Sequence, residues 1–229
     1  MERHFDEELN ELKTRLLLMG GRAEAVVHKA IDALKRRDRA LAEEIFADDQ
    51  AIDRLEIEID ERCIRLLALR QPVGQDLRFI ISALKIVTDL ERVGDHAVNI
   101  AQSAIKLSGE PELKPLIDIP RMAAIATRML TEALDAFVRN DAAAARAILT
   151  EDDEVDHLKT QIFRELLSYM LEKPESITRA LELILVSRNL ERVGDLATNV
   201  AEEVVFIAEA RVIKHHAEEL AGRDEFGRS

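Results

Sequence analysis

Two carboxylates four residues apart on a helix project from one face, and this chain carries that spacing repeatedly. Glu91 and Asp95 form one such pair, with Asn99 a turn further on. Glu191, Asp195 and Asn199 repeat it one hundred positions later. The stretch DDQAIDRLEIEID (48–60) sets Asp49, Asp53, Glu56 and Asp60 at spacings of 4, 3 and 4. The matching stretch EDDEVDHLKTQIF (151–163) keeps Asp152 and Asp156 but has Lys159 and Phe163 where the first has Glu56 and Asp60. Oxygen donors so clustered suit hard cations: Mg, Mn, Fe or Ca. Like charges one turn apart oppose helix formation by a few tenths of a kcal/mol per pair. A solvated helix face accounts for any single pair. Four pairs at matched places, with Asn downstream in both repeats, point instead to a bound cation. The expected ligands are Asp49, Asp53, Glu91 and Asp95, and Asp152, Asp156, Glu191 and Asp195. The first set is expected to bind more firmly, because Glu56 and Asp60 extend it.

Helices must position these acids. Apolar residues recur at helical spacing from Phe5 to about Arg37. Asp38 then reads as the N-cap of a second helix running to about Arg70. Pro72 and Gly74 break it, and Asp76 can cap a third helix reaching about Leu107. SGEPELKP (108–115) is the one cluster of Gly and two Pro, and marks a boundary. The second half repeats the plan with helices over Pro120–Arg139, Asp141–Leu171 and Glu175–His215. IDALKRRD (31–38) matches LDAFVRND (134–141) at an offset of 103, which falls to 100 after the Pro loop. A loop three residues shorter in the second half explains the change, and two ordered matches mean duplication.

The expected fold is therefore all-α: two tandem, pseudo-symmetric three-helix bundles, 1–108 and 120–216, joined by a linker (109–119) and followed by a tail (217–229). On a helical wheel the acids of the third helices lie roughly 120° from the stripe of Leu90, Val93, Ala97 and Ala101, so they flank the core. Gly94 and Gly194 sit mid-helix, where Gly costs about 1 kcal/mol against Ala, and suggest close approach of a neighbouring helix. Arg92 and Arg192 are expected to pair with acids across the bundle.

Composition narrows the function. Hydrophobic residues at 47% can build a core, while aromatics at 3% leave its packing to aliphatic side chains. A net charge of −13 without a long basic run opposes binding to nucleic acid or to an anionic membrane. No apolar run reaches the roughly 20 residues of a membrane span, and the start lacks a signal-peptide pattern. With the single Cys63 these features predict a cytoplasmic protein. Cys63 lies in an apolar stripe and reads as packing. No Ser/His/Asp set, Cys/His set or nucleotide loop is present. A di-iron carboxylate enzyme needs E-x-x-H on two helices, and only Glu154 and His157 supply one copy. His96 and His157 follow motif acids and could supplement a metal site. The competing readings are a metal-free helical scaffold and, behind it, that enzyme.

The chain resembles the PhoU family through LLLMGG (16–21), DDQAID (48–53), RQPVGQDLR (70–78), LERVGDHAVNIA (90–101), EDDEVD (151–156) and LERVGDLATNVA (190–201). The resemblance covers nearly the whole chain. It implies multinuclear metal clusters, often iron or zinc, at the E/D-x-x-x-D motifs already named. It also implies a non-catalytic negative regulator of phosphate-starvation signalling and phosphate uptake. The implied partners are a phosphate-responsive sensor histidine kinase and the ATPase of the phosphate ABC transporter. The repeat offers two similar docking faces, to partners or to further copies in a homodimer or larger homo-oligomer.

Overall fold

The protein's computed structural model describes residues 2–210. The first half comprises α1 (Glu2–Arg36), α2 (Arg39–Arg70) and α3 (Gly74–Ser108). The second comprises α4 (Asp118–Arg139), α5 (Ala142–Leu149), α6 (Asp152–Glu172) and α7 (Ile177–Glu209), with a 3₁₀ turn at Pro174–Ser176. The architecture is the expected all-α tandem repeat.

Repeated local chemistry starts the matched helices. The Asp38 carboxylate accepts from the Leu41 amide at 3.0 Å, and Asp141 accepts from Ala144 at the same distance. Each cap satisfies an amide left free at a helix start. The residue before each, Arg37 and Asn140, takes the left-handed conformation that turns the chain. Their hydrophobic stripes, Leu12, Leu16, Met19, Ala23 and Val27 on α1 among them, are fully buried.

The structure differs from the sequence expectation at four places. The helix foreseen over Asp141–Leu171 is broken between α5 and α6. There Thr150 and Glu151 bond back three residues, to Ala147 and Ile148, and the Thr150 hydroxyl also holds Ala147 O at 2.7 Å. From α4, Arg128 lies 2.7 Å from Glu151 and Arg121 2.7 Å from Glu154, anchoring the break. Asp76 does not cap α3, whose N-cap is Val73 without a side-chain bond; Asp76 sits in the first turn. The helix placed at Pro120 begins at Asp118, shortening the linker. The last helix starts at Ile177, after the 3₁₀ turn. The expected extension of that helix to His215 and the 217–229 tail lie outside the described residues.

The halves meet along α3 and α7, which run antiparallel, while α1 packs on α4. Glu203, 5% exposed, accepts from Ser82 at 2.7 Å and from Lys85 at 2.9 and 3.1 Å. At the other end of the seam Glu182 accepts from Ser103 at 2.8 Å and Lys106 at 2.9 Å. Between them His96 meets Asn189 at 2.9 Å. Ser82 and Glu182 occupy equivalent repeat positions, as do Ser103 and Glu203. The two clamps are therefore mates under the pseudo-twofold, with every donor on α3 and every carboxylate on α7.

Candidate metal site

The first acid set is built on the α2–α3 hairpin. Asp49, Asp53, Glu56 and Asp60 line one half-buried face of α2, beside the buried Ile52, Leu55, Ile59 and Cys63. Glu91 is half-buried on α3 and Asp95 is exposed. Gly94 lets the two helices close on these acids. A Cβ there would lie 2.5 Å from Asp49 Oδ1 and 3.2 Å from Ile52 Cδ1, so any side chain would push the carboxylate aside.

Burial, then the charges of Asp53 and Asp95, push Asp49 up to about 6. Glu91 is raised by burial and then by Asp95, Glu56, Asp53 and Asp49. Glu56 is raised by burial, Asp60, Asp53 and Asp95. Asp60 is raised by burial, and its Oδ1 is enclosed without a hydrogen-bond partner among the described residues. Nor does any described Lys, Arg or His bond to Asp49, Asp53, Glu56, Glu91 or Asp95. The structure thus brings the four expected first-half ligands together with Glu56 and Asp60. Their carboxylates form an uncompensated, mutually repelling cluster.

In the second half α6 and α7 bring Asp152, Asp156, Glu191 and Asp195 together at the matching place. Asp152 is pushed up to about 6 by burial and by Asp195, Asp156, Glu191 and Asp153. Asp195 is raised by burial and Glu191, against the opposing pull of Arg192. The helices approach less closely: a Cβ on Gly194 would stand 3.4 Å from Asp152 and Val155. Lys159 enters this set, 2.7 Å from Asp156 and 3.0 Å from Glu191. Among the described residues, no three Asp, Glu, His or Cys side chains in either half are arranged to hold a metal ion as they stand.

The arginines differ from the cross-bundle expectation. Arg92 reaches Asp89 on its own helix at 3.5 Å, and Arg192 reaches Asp195 on its own helix at 2.8 Å. Residues three apart on a helix are nearer than the facing helix, which decides the pairing. His96 is committed to Asn189 across the seam, and His157 contacts the Asp153 carbonyl of its own helix. Cys63 is fully buried, and burial with Asp60 nearby pushes its thiol up to about 12, so it packs without reacting.

Sequence reading missed an open depression of about 470 Å³ between α3 and α7, where Leu84 lies among charged and polar residues that include Lys85, Asp89, Arg92, Asn199 and Glu203. The available signal was the exchange of Ser for Glu at equivalent repeat positions.

The raised carboxyls fix a pH dependence for metal-free protein. Asp49 and Asp152 bind protons more tightly folded, near 6, than unfolded, near 3.8. The stability they confer is full below the unfolded value and lost as pH rises through about 6. In chelator, the variant Asp49→Asn with Asp152→Asn should therefore gain on wild type between pH 5 and 7.5. About 1–2 kcal/mol is expected for the pair after allowance for their partial exposure. Melting curves across that range measure it, and a constant difference between the two proteins would contradict it.

Matches to known proteins follow the same outline. The PhoU domain family model matches twice, over 16–104 and 119–204. A phosphate-specific transport system accessory protein PhoU homologue of Aquifex aeolicus is 42% identical over 209 residues, 91% of this chain and 95% of that protein. The Pseudomonas aeruginosa homologue is 40% identical over 216 residues, 94% of this chain and 89% of its own. The crystal structure of PhoU from Pseudomonas aeruginosa superposes with a TM-score of 0.86 at 41% identity, covering 90% of this chain and all (100%) of that one. The phosphate transport system regulatory protein PhoU from Streptococcus pneumoniae also gives 0.86, at 32% identity, covering 92% and 99%.

Proposed function

The chain belongs to the PhoU family, and from that premise we propose that it is a non-catalytic, cytoplasmic adaptor restraining phosphate-starvation signalling and phosphate uptake. Its contacts are a phosphate-responsive sensor histidine kinase and the ATPase of the phosphate ABC transporter. The observation that carries this reading is full-length similarity to proteins named as accessory to phosphate transport. No helix of the described residues is long and apolar enough to cross a membrane, so contact with the transporter would run through protein surface.

One surface suits such contact. Phe163, Leu167 and Leu171 on α6 are exposed at successive turns, as are Ile177, Leu181 and Leu185 on α7. The register set by Lys159 and Glu191 brings the two rows side by side. Aligned exposed apolar residues of this kind mark interaction sites. The equivalent first-half face carries Asp60 and Lys85 in place of Phe163 and Leu185, so the two faces would select different partners or a second copy in a homodimer or larger oligomer.

The first acid set is the proposed metal site. Asp49, Asp53, Glu91 and Asp95 would hold the ions, with Glu56 and Asp60 extending the donors. The chemistry fits: clustered oxygens, an enclosed Asp60 oxygen without a partner, and a glycine cradle that keeps Asp49 in place. Iron or zinc is proposed, as multinuclear clusters, with Mg, Mn or Ca as alternatives. The metal's contribution is charge, neutralising the cluster and tying α2 to α3. Asp152, Asp156, Glu191 and Asp195 are the matching second-half residues.

A deletion strain tests the regulatory reading. It should express phosphate-starvation genes in phosphate-rich medium, and a plasmid-borne copy should restore repression. Continued repression in the deletion strain would overturn the proposal.

A further inference from the structure

We infer that Lys159 is the built-in counter-ion of the second acid set, and that metal is confined to the first. This rests on the reading of the acid faces as metal sites and makes the two halves chemically unequal.

Lys159 Nζ bridges the hairpin, 2.7 Å from Asp156 Oδ1 on α6 and 3.0 Å from Glu191 Oε1 on α7. Arg192 adds a second internal cation, with Nη1 2.8 Å from Asp195 Oδ2 and Nε 3.6 Å from Glu191 Oε2. Three of the four would-be ligands are thus already engaged, and only Asp152 is not. In the first half the residue equivalent to Lys159 is Glu56, and Arg92 turns to Asp89 instead of Asp95. Six carboxylates therefore face a cation in the first set. The second has four carboxylates and two cations.

The break between α5 and α6 acts in the same direction. Asp152 is the first residue of α6, where unpaired amides give the helix start a partial positive charge. Asp49 lies in the interior of the continuous α2 and meets no such field. Affinity for hard cations follows the charge count of the ligands, so the second set should bind about 100-fold or more weakly than the first.

The test uses the full chain, stripped of metal and titrated with Mn²⁺, with bound metal measured by elemental analysis. Asp152→Asn with Glu191→Gln should leave the metal content of the protein unchanged, whereas Asp49→Asn with Glu91→Gln should remove it. Lys159→Glu should raise the stoichiometry by filling the second set; Lys159→Met serves if that variant does not fold. If the second-half pair lowers the metal content, metal binding by acid faces stands and this inference fails. If wild type binds none but Lys159→Glu does, the first-set reading fails and with it the confinement of metal to that set, and only the counter-ion role of Lys159 stands. Should neither Lys159 variant take up more metal than wild type, the inference is overturned. A readout free of metal accompanies it: in chelator, Lys159→Gln should lower the melting temperature by about 2–5 °C by leaving the second set uncompensated. No change there would also overturn it.

Discussion

Replacing Ser82 by Ala and Lys85 by Met together is expected to destabilise the protein by about 3 kcal/mol. Glu203 is 5% exposed, and these are the donors that hold its carboxylate. Removing one partner of a buried ion pair costs about 3–5 kcal/mol, because an uncompensated charge remains in low dielectric. Lys85 itself is 45% exposed on its side chain, which places the effect at the lower end. For a chain of this size the melting temperature should fall by about 6–12 °C. Adding Glu203→Met to the double variant should recover most of the loss, since a well-packed apolar side chain can replace a buried pair. Urea titration of the three proteins measures both steps. A double variant within about 1 kcal/mol of wild type would show that apolar packing alone holds α3 to α7.

Neutralising the first acid set, by Asn at Asp49, Asp53 and Asp95 and Gln at Glu91, is expected to act with opposite signs in two buffers. With metal at about 1,000 times its dissociation constant, wild type gains about 4 kcal/mol that the variant cannot. In chelator the variant should be the more stable protein, because burial and, after it, mutual repulsion raise Asp49 and Glu91 in the native state. The order of melting temperatures should therefore reverse on adding metal. Elemental analysis provides the companion measurement. Unchanged metal content in the variant would remove the site assignment, and equal stability in chelator would remove the repulsion argument.

The elements and the acid faces were readable because they rest on local rules. Asp38 and Asp141 cap where an Asp before an apolar-periodic run should cap, and Glu91 with Asp95 share a face because a helix has 3.6 residues per turn. The break at Thr150 was not readable. No Gly or Pro marks it, and its anchors Arg121 and Arg128 come from α4. The partners of Arg92 and Arg192 were misread for a related reason: helical neighbours three positions away compete with a facing helix, and distance decides. At the site, the substitution of Lys159 for Glu56 was visible. Its position between Asp156 and Glu191 depends on the register of α6 against α7, which periodicity alone does not fix. The seam was hidden because Ser82 opposite Glu203 pairs residues 121 apart.

That seam bears on how a duplicated fold can evolve. In a dimer of identical units packed as these halves are, the position of Ser82 would face the position of Ser103 twice. Two copies of the first half would set serine against serine, and two copies of the second would set Glu182 against Glu203, carboxylate against carboxylate. Every donor on one unit and every acceptor on the other is a pattern that identical subunits cannot have across this axis. Joining the units in one chain frees equivalent positions to diverge in opposite directions. The Ser–Glu–Lys clamps record that freedom, and they make each half complementary to the other and not to itself.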